Sequence, residues 1–253
     1  MFLSHLDLMR AFSRAIRRSG IPIKYSEGFN PHMRMSFGLP LQVGVTGGAE
    51  YLDIELESSV GADEAMAMLN GQLPRGLRVG AARVTESSES VMSMITHASY
   101  EMRVGYCART TDAAAATDTD DAAANAHAAA DAEATGAALK KAVELFRLPG
   151  ERVITKQPAQ GIGAKPKHGA KSSVNAAKTM DIAPLIREIE ACGGILKMTV
   201  CAGSVNNVKP DLVLESLNDI WMEMHGGAFA RVALHRTALY AERGGALIKP
   251  IDI

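Results

Sequence analysis

The sequence predicts an α+β protein made of two tandem ferredoxin-like units, each of order βαββαβ, the first lacking its N-terminal strand. Three observations carry this expectation. Apolar residues switch between a period of about 3.6 and a period of 2 in an order that recurs along the chain. A length of 253 residues accommodates two domains of ordinary size. Hydrophobic residues make up 47% and charged residues 22%, as in soluble globular chains and unlike collagenous or disordered ones. The expected units are residues 1–97 and 98–253, the second interrupted by an Ala/Asp-rich insert at 112–134 and a basic loop at 157–177.

In the first unit, Ser4 and Asp7 stand in the spacing of a capping box, and Leu6, Met9, Phe12 and Ile16 follow as one helical stripe that Gly20 ends. Strands are expected over Met33–Val45 and Glu50–Glu57, with Gly47-Gly48 as the turn. In the later of these, Leu52, Ile54 and Leu56 alternate with Asp53, Glu55 and Glu57, which reads as a charged face turned to solvent. A helix over Ala62–Leu73 stops at Pro74, and Leu77–Val84 reads as a strand. The unit is thus αββαβ. A ferredoxin-like sheet places its first strand centrally, so the missing strand is expected upstream of Met1 or from another source.

The second unit begins with Tyr100, Met102, Val104 and Tyr106 alternating as a strand. The stretch Asp112–Ala134 carries six acidic residues and no Lys, Arg, Phe, Leu or Val, so it reads as a low-complexity linker that its alanines draw into transient helix but that has no face to bury. A helix containing Leu139, Val143 and Phe146 ends before Pro149. Strands follow at Arg152–Lys156, Lys178–Ile182 and Ile195–Cys201, a helix at Pro210–Leu217 and a strand at Leu234–Ala241. Between the first two of these strands, Gln157–Ala177 holds Lys165, Lys167, His168 and Lys171 and no acid, a solvated basic loop. Trp221, beside Met222, Met224 and His225, reads as a packing anchor.

A net charge of −1 means that any basic surface must be local. Cys107, Cys192 and Cys201 form no CxxC or CxxxCxxC spacing, so the chain supplies neither an iron–sulfur cluster nor a structural zinc site by itself. No apolar run reaches the length of a membrane span, and a cytoplasmic protein is expected.

The strongest local charge lies at the N-terminus. Arg10, Arg14, Arg17 and Arg18 fall at i, i+4, i+7 and i+8, on one side of the first helix and away from its apolar stripe. With Lys24 and Arg34, against Asp7 and Glu27 alone, residues 1–34 carry an excess of four positive charges. Guanidinium forks fit phosphate oxygens, and Tyr25, Phe29 and Phe37 in the following loop are candidate stacking platforms for nucleobases. His5 and His32 are candidates for acid–base cleavage of RNA, since an imidazole near neutral pKa can deprotonate a 2′-hydroxyl. A second anion-holding corner is Gly203, Ser204 and Lys209, just before the helix that starts at Pro210. An ordinary strand-to-helix turn explains the same residues.

The strings Phe2-Leu3-Ser4-His5-Leu6-Asp7-Leu8-Met9-Arg10, Tyr25-Ser26-Glu27-Gly28-Phe29-Asn30-Pro31-His32 and Ser36-Phe37-Gly38 resemble the radical-SAM-linked protein family. Glu50-Tyr51-Leu52-Asp53, Asp181-Ile182, Pro184-Leu185-Ile186 and Lys209-Pro210-Asp211-Leu212-Val213-Leu214 extend the resemblance downstream. That uncharacterised bacterial family is encoded beside, or fused to, a radical S-adenosylmethionine protein, and its members carry a strand ahead of the Leu-Ser-His-Leu-Asp motif. The resemblance implies a radical-SAM partner that holds the iron–sulfur cluster and S-adenosylmethionine, with no cofactor in this chain. Joined to the arginine stripe, it leads us to expect a non-catalytic accessory module that contacts RNA or a ribonucleoprotein. The alternatives are a metal-independent ribonuclease using His5 or His32, and a protein-interaction scaffold.

Overall fold

The computed structural model describes residues 4–107, 121–150, 152–156 and 178–253. The first helix, α1 (His5–Ser19), starts where the sequence places it. The Ser4 hydroxyl accepts from the Asp7 N–H at 3.2 Å, the Asp7 carboxylate accepts from the Ser4 N–H at 3.3 Å, and Gly20 closes the helix at φ 76°. The buried face is rotated from the expected stripe. Phe12, Ala15 and Ile16 are buried, whereas Leu6 is 60% exposed.

Three short strands and two helices complete the first half: β1 (Met35–Phe37), β2 (Val45–Gly47), β3 (Leu52–Ile54), α2 (Ala62–Asn70) and α3 (Val91–Met94). β1 and β3 pair antiparallel, Met35 opposite Ile54. Phe12 and Ile16 of α1 and Leu69 of α2 pack with Ile21, Ile23 and Met33, against which Leu52, Ile54 and Leu56 also lie. The strand expected at Leu77–Val84 is not a strand. The Asn70 side chain accepts from the Val79 N–H at 2.8 Å and donates to the Val79 carbonyl at 2.9 Å, so one side chain replaces the ladder partner and Leu77 and Val79 reach the core from irregular backbone.

The second half contains β4 (His97–Cys107), α4 (Asp121–Phe146), β5 (Val153–Lys156), β6 (Lys178–Asp181), β7 (Ile186–Cys192), β8 (Ile195–Cys201), α5 (Pro210–His225), β9 (Ala228–Arg243) and β10 (Ala246–Ile248). The main sheet runs β10-β9-β4-β8-β7, every neighbour antiparallel. β5 and β6 form a separate hairpin. With that hairpin set aside, β4, α4, β7, β8, α5 and β9 follow in βαββαβ order, and β7 is the strand that the sequence reading passed over. Even-numbered residues of β4, from Ala98 to Val104, point at α4 and α5, where Leu139, Val143, Phe146, Val213 and Leu217 fill the main core. Trp221 packs there as an anchor, its ring 6.1 Å from Tyr106 and 5.6 Å from Phe229.

Residues 121–134 of the insert read as a linker belong to α4, because a run of alanine extends readily once Thr135, Leu139, Ala142 and Val143 dock its C-terminal half. The remainder of that insert and the basic loop at 157–177 lie outside the described residues. The fold is α+β, but the first half does not reproduce the second. Its β1 and β3 make a two-stranded sheet, and β2 pairs parallel to β9 of the other half, Val45 opposite Leu234.

Candidate nucleic-acid interface

The four arginines of α1 all lie at the surface, opposite the side that carries Phe12, Ala15 and Ile16 into the core. They differ in what they touch. Arg10 pairs with Asp7 at 3.5 Å, and hydrogen bonds from the Ser4 side chain and backbone, with the Arg10 charge adding to them, hold the Asp7 carboxyl below the usual carboxylate range. Arg18 donates to the Gln72 carbonyl at 2.7 Å and to its side chain at 3.3 Å, tying the end of α1 to the chain just past α2. Arg14 and Arg17 have no ion-pair or hydrogen-bond partner among the described residues.

The loop after α1 is a hairpin. Tyr25 bridges Met33, Arg34 N–H donates to the Lys24 carbonyl at 2.8 Å, and Ser26 N–H donates to the His32 carbonyl at 2.8 Å. The Ser26 hydroxyl in turn accepts from the His32 N–H at 3.0 Å and lies 2.8 Å from His32 Nδ1. Gly28, at φ 122°, turns the tip, and Phe29 stands on it 105% exposed. Tyr25 is 38% exposed, and Phe37 is packed edge-on between His5 and Phe12. Of the three aromatic rings, Phe29 and in part Tyr25 are therefore open to a ligand. Lys24 is exposed at the hairpin neck, and Arg34 lies beside it, paired with Glu55 at 3.3 Å.

The other sequence candidates sit in tighter settings. His5 has its ring 5.3 Å from Phe37, with Nδ1 buried and without a hydrogen-bond partner among the described residues. His32 has its Nδ1 engaged by Ser26. At the second corner, Gly203 N–H donates to the Asn206 carbonyl at 2.8 Å, Ala202 bridges Asn207, and Lys209 is the N-cap of α5. Ser204 is exposed on this closed turn, whose backbone geometry is that of a strand-to-helix connection. Asp53 departs from the solvent-facing role expected of it. Its carboxylate accepts from the Val91 N–H at 2.7 Å at the start of α3, and burial raises its pKa.

Two groupings had no signal in the sequence. His97 and Cys201 face each other across β4 and β8, with Sγ 3.6 Å from Nε2, and the Thr96 hydroxyl lies 2.9 Å from Nδ1. Burial lowers the imidazole pKa and raises that of the thiol, so the pair rests neutral rather than as an activated thiolate. Arg236 is 2% exposed on β9 and meets the Glu50 carboxylate through both Nε, at 2.9 Å, and Nη2. It also donates to the Leu39 carbonyl at 2.6 Å.

Among the described residues, the open face of the main sheet mixes both signs of charge, with Arg103 exposed on β4. Lys197 is paired with Glu101 at 3.3 Å and Arg187 with Glu242 at 3.1 Å, while Glu188 and Glu190 are exposed without an ion-pair partner among the described residues. Among those residues, no group of three or more His, Cys, Asp or Glu is gathered as a metal site, and no helix is long and apolar enough to cross a membrane.

Residues 1–210 match the model of a family described as uncharacterised proteins conserved in bacteria (DUF2344), and the chain belongs to that family. The matched span includes α1 and the Tyr25–Met33 hairpin and stops at the first residue of α5. No curated protein and no solved structure matches the chain.

Proposed function

We propose that this protein is a non-catalytic binding module that grips the phosphate backbone of RNA, free or within a ribonucleoprotein, through the exposed face of α1. In this reading it works beside a radical-SAM enzyme that holds its own iron–sulfur cluster and S-adenosylmethionine. The radical-SAM partner follows from the family resemblance of the N-terminal strings. The observation that carries the RNA part is the state of Arg14 and Arg17. Both guanidinium groups are exposed on a helix fixed by its cap and its core, and neither has an ion-pair partner among the described residues. Phosphates fill such a vacancy with two-pronged geometry and release counterions as they bind. The binding reading is preferred to cleavage because His5 is wedged against Phe37 and His32 is occupied by Ser26.

The test replaces Arg14 and Arg17 together with Gln, which keeps helix propensity, and follows binding of a fluorescein-labelled 20-mer of oligouridine over a salt series. Each lost contact to single-stranded RNA should flatten the slope of log affinity against log salt by about 0.7, so the double variant should show weaker binding at low salt and a slope shallower by about 1.4. The melting temperature should not move, because neither side chain has an ion-pair or hydrogen-bond partner to lose among the described residues. Unchanged affinity and slope would overturn the proposal in favour of a solvated or protein-docking face.

A further inference from the structure

Phe29 is the most exposed large apolar side chain among the described residues, and it is held out rather than left loose. Its hairpin is closed at the neck by the Tyr25–Met33 bridge and by the three Ser26–His32 contacts, all within hydrogen-bonding distance. The base of that neck, Met33 with Ile23, is buried in the same small core as Phe12 and Ile16 of α1. The ring is therefore presented on a support that is continuous with the arginine helix. An aromatic ring held in water leaves its apolar area unburied, and a ligand that covers the ring gains that burial.

What covers it is decided by its surroundings. The residues next to it at the tip, Glu27, Gly28, Asn30 and Pro31, are all exposed, and none is a large apolar side chain. A protein interface asks for a contiguous apolar patch around such an anchor, and these four neighbours do not supply one. A ring with exposed Lys24 at the neck of its own hairpin, on a chain whose α1 carries Arg14 and Arg17 at the surface, supplies the two elements that single-stranded nucleic acids use, with bases stacking on a ring while phosphates meet the charges. Bases inside a duplex are already stacked on each other and offer the ring no face.

We infer that Phe29 is a stacking platform for an unpaired nucleobase, so that the ligand of the arginine face is single-stranded RNA rather than a helical one. This rests on the phosphate-binding reading above and adds a preference that arginines alone cannot supply. Tyr25, 38% exposed at the neck of the same hairpin, is the second aromatic ring that the hairpin offers.

The test uses the full chain with three RNAs of equal length: a 12-mer of oligouridine, the corresponding abasic ribose-phosphate 12-mer, and a 12-base-pair duplex. Phe29→Ala should weaken oligouridine binding about tenfold or more. It should leave the affinity for the abasic oligomer, the salt slope and the melting temperature unchanged, because the side chain is fully exposed and has no packing to lose among the described residues. Phe29→Trp should keep the oligouridine affinity and report binding by a change in indole fluorescence over that of buried Trp221. If the wild-type chain binds oligouridine with the expected salt slope but Phe29→Ala binds equally well, the stacking inference fails and the arginine reading stands. If the wild-type chain binds none of the three RNAs at low salt, the arginine reading fails and takes the stacking with it.

Discussion

His97 and Cys201 show how much of a local environment is made by register. They are 104 positions apart, yet strand pairing sets them face to face, and the Thr96 hydroxyl and the Arg187–Glu242 ion pair complete their surroundings. Burial keeps the thiol protonated at neutral pH. We therefore expect native-state alkylation by iodoacetamide to proceed at Cys192, which is exposed, well before Cys201, with the difference abolished in denaturant. Equal native rates at the two sites would show that the pair is ionised. The imidazole gives a second expectation, with a definite sign. Its folded pKa lies below the ordinary 6.5, so below that pH the unfolded chain takes up a proton that the folded chain refuses. The stability linked to His97 is thus fully present above pH 6.5 and is lost as the pH falls towards its folded pKa. Between pH 7 and pH 5 the wild-type chain should lose more unfolding free energy than His97→Asn, as read by urea titration at each pH. Parallel pH profiles would place the acid sensitivity elsewhere.

At the scale of elements, Gly136 of α4 is a useful point of conflict. By helix propensity alone, Gly136→Ala would stabilise α4 by about 1 kcal/mol. A Cβ there, however, would lie 3.0 Å from the Gly193 carbonyl carbon and 3.1 Å from its Cα, in the two-residue turn between β7 and β8. Gly193 holds φ 57° in that turn and cannot retreat without moving both strands. We expect a net loss of stability and a lower melting temperature; a gain would mean that the turn yields. The same contrast between local and distant causes explains what the sequence discloses. The start and stop of α1 are legible because Ser4, Asp7 and Gly20 act within the helix itself. The strand Ile195–Cys201 is legible because its alternation is regular and bounded by Gly194 and Gly203. β7 is obscured where its register shifts between Ile186 and Glu188, which breaks the period of 2. Leu77–Val84 imitates a strand because Asn70, seven or more positions away, supplies the partner that a strand would need. Of the candidate interface, the arginine face could be read from spacing alone. Which arginines are already committed could not, since Arg18 meets Gln72 only after α1 and α2 pack.

For the whole molecule, the decisive question is how two cores come to act as one body. The small core is built on α1, α2, β1 and β3, and the large one on the main sheet with α4 and α5. Between them runs residues 39–51, which places Val45 in the large core, pairs β2 with β9 and delivers Glu50 and the Leu39 carbonyl to Arg236. Burial works against the Arg236 charge, and the hydrogen bonds and charge of Glu50 outweigh it, so the guanidinium is held above its already high ordinary pKa. Such a pair contributes little when intact but is costly to break, because the survivor is left charged and unmatched in the interior. Glu50→Ala should therefore cost about 3 kcal/mol, the lower end of the range for buried pairs, since Glu50 itself keeps 26% exposure and water can partly replace it. Arg236→Met, which removes the charge along with the bond, should cost less than Glu50→Ala if desolvation is the main penalty. The probes are already in the molecule. Trp221 fluorescence reports the large core, and far-UV circular dichroism includes α1 and α2 of the small one. In the wild-type chain the two denaturation curves should coincide. In Glu50→Ala they should separate, with helical signal lost before the Trp221 transition, because the strap that couples the cores has been cut at its charged end. Coincident curves with a loss under about 1 kcal/mol would mean that β2 pairing and Val45 packing hold the two cores together without the ion pair.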